Sequence, residues 1–299
     1  MMYLKKKTQK DHLRLWLSEH PNFNPFRFSF NKLFRILSRS QRLLPDFIII
    51  GSTKSGTWTL TDFLMEHPNI FMERNLHFFE YNQSNKLSWY KKYFPTRFYK
   101  SQVERKTGQN FIVGENTSTY LFHPLVPKRI KEILPNAKLI INLRNPVKRA
   151  FSNYNHQVKH GFETRTFEDA INSELLRIKI VDENNKLKIK NPDFDNAVIF
   201  NYIRHGMYVN KIKTWFDLFP KNQIQILPTD LLTKEPRKFL KITFEFLGVS
   251  NHPIKNLQKT NVGKYKNMNE TTKKILTDFY KPYNEKLFEL IGKRLEWDD

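Results

Sequence analysis

Residues 47–50, Phe-Ile-Ile-Ile, are an unbroken apolar run between Pro45-Asp46 and Gly51, the pattern of a strand buried on both faces. A polar loop, 51–56, follows. From Thr57 onward Leu60, Phe63 and Leu64 recur at helical spacing, and His67-Pro68-Asn69 stops that helix. The aromatic stretch 86–94 predicts a short helix. Residues 111–114 predict a second strand, with 115–120 as a polar loop at its C-terminal end. A helix over 124–134 leads to a third strand at 138–143. Pro146 then suits the first position of a helix carrying Val147, Ala150, Phe151 and Tyr154.

Beyond that, 167–180 predicts a helix and 182–196 a polar surface loop. Tyr208, Ile212, Trp215 and Phe219 fall at steps of four, three and four, so 198–219 predicts one long helix. A strand at 223–227 and a helix at 236–247, ended by Gly248, come next. The last helical stretch, 270–291, is expected to kink or split at Pro282. No internal repeat is visible. Strands alternating with helices predict an α/β fold, with a doubly wound, mainly parallel central sheet flanked by helices.

Composition narrows the partners. The 299 residues are 39% hydrophobic and 14% aromatic, enough for a core, and carry a formal charge of +22. That charge suits a polyanion such as a nucleotide or an acidic glycan. There is no cysteine, so no disulfide and no thiolate metal site. No run approaches the ~20 apolar residues of a transmembrane helix, and no apolar segment follows the charged N-terminus as in a signal peptide. The reading is a cytoplasmic protein with no integral membrane segment. Residues 1–44 are basic and aromatic, with Leu33, Phe34, Ile36 and Leu37 at amphipathic spacing. They read as an N-terminal extension to a single domain at 45–299.

The candidate chemistry begins at the loop after the first strand. A strand, a glycine-bounded turn and a helix start converge backbone N–H groups on an anion, as in P-loop NTPases. Lys54 adds a cation and Thr57 a hydroxyl. The nucleotide-triphosphatase form has Lys and Ser/Thr after the second glycine. Here Thr57 and Trp58 follow Gly56, so the cradle is kept without the metal-binding arrangement. A second clamp is Arg144 at a strand end with Ser152 eight positions on, about 12 Å along a helix. An Arg fork and a hydroxyl suit phosphate.

The sequence Gly-Ser-Thr-Lys-Ser-Gly-Thr (51–57) resembles the 5′-phosphosulfate loop of sulfotransferases that use 3′-phosphoadenosine 5′-phosphosulfate (PAPS). Leu-Arg-Asn-Pro-Val-Lys-Arg-Ala-Phe-Ser-Asn-Tyr (143–154) resembles their 3′-phosphate motif. Likeness to the heparan sulfate N-/3-O-sulfotransferase branch extends through His77-Phe78-Phe79 and segments 86–93, 115–120, 206–215, 246–249 and 278–284. Gly263-Lys264-Tyr265 is similar to the family's late nucleotide-covering loop. Residues 1–44 are not covered.

The resemblance implies sulfuryl transfer from PAPS to an acceptor hydroxyl or amine, on a carbohydrate, leaving PAP and requiring no metal. It implies that Lys54 stabilises the leaving oxygen. Ser55, Gly56, Thr57 and Trp58 would hold the 5′-phosphate and Arg144 with Ser152 the 3′-phosphate, with Gly263, Lys264 and Tyr265 contributing. A hydroxyl acceptor needs a general base. The branch places a Glu two residues before its His, where this chain has Asn75, leaving His77 and Glu73 as candidates. Asn116 also replaces a Lys common in the branch. His123, His156, His160 and His205 have no metal-ligand spacing and read as surface or core. Two other readings are open: an ATP-dependent kinase, and a basic nucleic-acid-binding protein, which lacks a recognisable reading motif. No nucleic acid is expected as a partner.

Overall fold

The structure, a computed structural model, describes residues 38–82, 85–184, 201–257 and 267–297. Five strands form one sheet: β1 (Phe47–Gly51), β2 (Ile70–Arg74), β3 (Ile112–Asn116), β4 (Lys138–Leu143) and β5 (Ile224–Pro228). Their order is β2-β3-β1-β4-β5 and every pairing is parallel. Every residue of β1 is buried. Phe47 and Ile49 join the hydrophobic cluster on one face, Ile48 and Ile50 the cluster on the other. A strand covered on both sides needs apolar residues without alternation, which is why 47–50 reads as it does.

Helices cover both faces. They are α1 (Thr57–Met65), α2 (Leu87–Lys91), α3 (Arg97–Thr107), α4 (Val126–Ile133), α5 (Pro146–Lys159), α6 (Phe167–Asn184), α7 (Tyr208–Phe216), α8 (Thr229–Lys234), α9 (Pro236–Leu247) and α10 (Glu270–Ile291). Local chemistry sets several ends. Asn145 caps α5 by accepting from the amides of Val147 and Lys148, and Pro146 occupies its first turn. Gly248, at φ 79°, closes α9 in the left-handed region. Pro282 lies inside α10, which runs as one helix and is not split.

Three expectations need correction. Residues 115 and 116 are the last two of β3, not a loop. The predicted long helix over 198–219 is broken: a 3₁₀ turn, Arg204–Gly206, precedes α7. Gly206 lies so close to Tyr280 that a Cβ there would come within 2.6 Å of the Tyr280 hydroxyl, and His205 stacks on Phe122 at 4.0 Å. Those contacts override the helical periodicity. Finally, 182–184 belong to α6 rather than to a surface loop; the rest of that loop lies outside the described residues. The amphipathic stretch at 33–37 and Gly263, Lys264 and Tyr265 also lie outside them.

Candidate active site

β1 and β4 are neighbours whose chain continuations leave in opposite directions. After β1 the chain goes to β2 at one edge, and after β4 it goes to β5 at the other. Such a reversal opens a crevice at the C-terminal ends of the strands. The 52–56 loop rises from β1 into it, and Arg144 enters from β4.

Buried hydrogen bonds pin the loop. The Ser52 amide donates to the Asn142 carbonyl at 2.9 Å, and the Ser52 hydroxyl donates to the same oxygen at 3.1 Å. The Ser52 and Ser55 hydroxyls are 2.6 Å apart, and Thr229 Oγ1 donates to the Ser55 carbonyl at 3.0 Å. Both the hydroxyl and the amide of Ser55 are therefore engaged within the loop. Lys54 (φ 67°) and Gly56 (φ 74°) are both left-handed. For Gly56 that is natural; for a lysine it is uncommon and costs energy. Gly56 stands at the N-cap of α1 with no side-chain cap, so the first-turn amides from Thr57 onward keep their polarity for a guest anion.

Arg144 and Lys54 meet. Arg144 Nη1 donates to the Lys54 carbonyl at 3.1 Å, and the Tyr208 hydroxyl donates to the Arg144 carbonyl at 3.0 Å. Burial, then Arg144 and Lys159, push the Lys54 ammonium down to about 8. His156 lies in the same field: burial, then Lys54, push it down to about 4. This histidine, read from sequence as surface or core, belongs to the crevice. Ser152 is buried one helical turn before His156 on the same face of α5. Trp58 is 40% exposed on the first turn of α1, and the Arg74 guanidinium lies 4.8 Å from its ring centre.

The two base candidates lie across the sheet, at β2. With β3 between β2 and β1, the strand axes are about 10 Å apart. Glu73 sits within β2 beside Glu115 of β3. His77 follows the strand end in a turn where Asn75 (φ 52°) and His77 itself (φ 49°) are left-handed. The carboxylate that touches His77 is Glu80, whose Oε2 is 2.7 Å from His77 Nδ1. Glu80 is buried and its turn is anchored by Arg129, which donates to the Phe79 and Glu80 carbonyls.

Glu115 is fully buried and accepts from the hydroxyls of Tyr90, Thr117 and Tyr120. Burial raises its pKa, and His77 acts on it in the opposite direction. The Asn116 amide donates to the Thr57 carbonyl and Thr61 Oγ1, tying β3 to α1. Sequence reasoning missed Glu80, Glu115 and the place of His156. The three-residue spacing of His77 and Glu80 was the one available signal.

The observations suit an adenosine bisphosphate: an uncapped helix start, a pinned loop, and like-charged Lys54 and Arg144 side by side in a half-buried crevice. Comparison with known families matches residues 44–287 to the sulfotransferase domain. A membrane-associated sulfotransferase, kil1, of Dictyostelium discoideum is 25% identical over 86% of this chain and 67% of that protein. The human bifunctional heparan sulfate N-deacetylase/N-sulfotransferase 1 is 27% identical over 83% of this chain, which spans 30% of its length. The solved structure of a sulfotransferase from Alicyclobacillus acidocaldarius superposes with a TM-score of 0.64 at 26% identity, covering 85% of this chain and 98% of that one. The chain belongs to the sulfotransferase family, and it is an enzyme that transfers a sulfuryl group.

Proposed function

We propose that the acceptor is a carbohydrate hydroxyl or amine, and that the chain stands nearest the heparan sulfate N-/3-O-sulfotransferase branch. Similarity to enzymes of that branch supports this at low identity. We further propose that residues 45–299 act as one catalytic domain with 1–44 as an extension, and that Lys54 does electrostatically what a metal would otherwise do.

The carrying observation is the division of the crevice. Arg144 is bonded to the Lys54 carbonyl on one side, and the His77–Glu80 pair lies past the end of β2, two strands from β1. PAPS, when bound, supplies an activated sulfuryl group on a 5′-phosphate oxygen. The α1 N-terminus, with Gly56, Thr57 and Trp58, holds the 5′-phosphate through backbone amides. Ser55 shapes that turn from within. Arg144 and Ser152 take the 3′-phosphate. The Lys54 ammonium meets charge that grows on the leaving oxygen, in a half-buried site where such an interaction is strong. His77 accepts the acceptor's proton on Nε2, while Glu80 holds Nδ1 and steadies the ring as it becomes charged. His156, neutral at pH 7, adds a polar ring beside Lys54 without adding charge.

Two measurements test the reading. PAP is expected to raise the melting temperature without Mg²⁺, and Arg144→Ala to abolish that shift. No shift at millimolar PAP would refute the donor site. Transfer of labelled sulfate from PAPS to partly N-deacetylated heparosan supports the carbohydrate acceptor, whereas transfer confined to lipids or small phenols overturns it.

A further inference from the structure

Helix α3 is held to the body along one stripe. Val103 packs on the core, Lys100 Nζ donates to the Phe111 carbonyl at 2.8 Å, and Glu104 accepts from the Phe111 amide at 3.0 Å. Thr107 Oγ1 accepts from Asn69 Nδ2 at 2.7 Å. These positions, 100, 103, 104 and 107, make one helical face, and no residue of α3 is fully buried. The opposite face carries Phe98, 70% exposed, and Arg105, with Lys106 on its flank; Arg97, also exposed, lies beside the anchored stripe, and Tyr99 packs edge-on against Phe111 at 5.6 Å. Lys100 pairs with Glu104 at 3.6 Å, the helix's only acid. None of Arg97, Arg105 and Lys106 has a carboxylate partner among the described residues.

We propose that this basic, aromatic face of α3 docks the enzyme onto an anionic lipid surface. Cations around an exposed apolar side chain on a convex helix suit a bilayer interface, where Phe98 enters the headgroup boundary and the Arg and Lys groups meet lipid phosphates and carboxylates. A groove that tracks a soluble polyanion would offer cations without that apolar centre. The chain outside the structure supports the same occupant. The described residues begin at Ser38, and Leu43 donates its amide to the Pro95 carbonyl at 2.9 Å. Arg42 bridges to Thr96, the residue that caps α3. Residues 1–37 thus join the body beside the N-terminus of α3. Their sequence has the same character, with Lys5, Lys6 and Lys7 followed by Trp16, Phe23 and Phe26.

Orientation follows from the topology. Phe111 precedes β3 and Asn69 precedes β2, so α3 lies by the N-terminal ends of the strands. Lys54, Arg144 and His77 lie past the C-terminal ends. A docked enzyme would therefore turn its crevice away from the bilayer, toward acceptors that extend from it.

The test is flotation of the full-length protein with vesicles of 70% phosphatidylcholine and 30% phosphatidylserine at 0.1 M salt. Binding is expected there, with loss on phosphatidylcholine alone and at 0.5 M salt. Phe98→Ser with Arg105→Glu should weaken partitioning about tenfold or more and leave the PAP-induced melting shift intact, which shows the variant is folded. Arg97→Glu with Lys106→Glu, which leaves Phe98 in place, should weaken it similarly. Equal binding by wild type and both variants would overturn the role of α3, as would no vesicle binding at all. Loss of heparin or DNA binding in the variants without vesicle binding would make the face a soluble-polyanion site instead. A dimer dispersed by Phe98→Ser would make it an interface between copies. Because PAP binding is read separately, failure of the docking surface is distinguishable from failure of the donor site.

Discussion

At the β1–β4 corner of the crevice the charged groups are cations of like sign, Lys54, Arg144 and Lys159, around a loop fixed by buried hydrogen bonds. At the β2–β3 corner the buried charges are carboxylates. Glu80 is in contact with His77, and Glu115 is enclosed by three hydroxyl donors. The carboxylate corner satisfies itself. The cationic corner does not: Lys54 is pushed down by burial and by its neighbours alike. An anion entering between Lys54 and Arg144 relieves that repulsion, so the like-charged neighbours favour anion binding at this corner. The proposed proton acceptor lies at the other corner, where His77 and Glu80 are already paired.

Substitutions should separate the corners. Lys54→Ala removes the cation proposed to stabilise the leaving oxygen, with an expected fall in kcat of about 10³ and loss of much of the PAP-induced melting shift. His77→Asn should lower kcat about 10² and leave PAP stabilisation unchanged; a lost PAP shift would show that the corners are not separate. Glu80→Gln keeps shape but removes the carboxylate beside Nδ1. A fall of about tenfold in kcat with KM unchanged is expected. An unchanged kcat would make Glu80 merely structural.

The smallest effect is thermodynamic. Lys54 sits at about 8 in the folded protein against an ordinary 10.5. Between those values the unfolded chain binds more protons, so stability should rise with pH across this window, and Lys54→Met should flatten the rise. PAP favours the ammonium form, so its binding at pH 8.5 to 9 should take up a proton. Calorimetry in buffers of different ionisation enthalpy reads that uptake directly.

Much of the cationic corner was legible because it is local. A strand, a glycine turn bearing Lys54 and a helix start are contiguous, and Arg144 and Ser152 share one short segment. The carboxylate corner was less so. β2, Ile-Phe-Met-Glu-Arg, reads as polar at its end because it is an edge strand with one neighbour, β3. Glu73 drew notice through its distance in sequence from His77, whereas Glu80 reaches the ring through a turn that sequence spacing only hints at.

By itself the sequence determined the strand–loop–helix cradle, the alternation of β and α, and the residue types able to grip two phosphates. These follow from hydrophobic period, glycine placement and caps, all of which act within a few residues. Tertiary structure alone decided that Arg144 touches the Lys54 loop, that Glu115 is enclosed by Tyr90, Thr117 and Tyr120, that His156 lies in the field of Lys54, and that Gly206 breaks a helix against Tyr280. Each is a contact between groups distant in the chain. Its sign and strength depend on burial and on which neighbour arrives, and neither is written in local spacing.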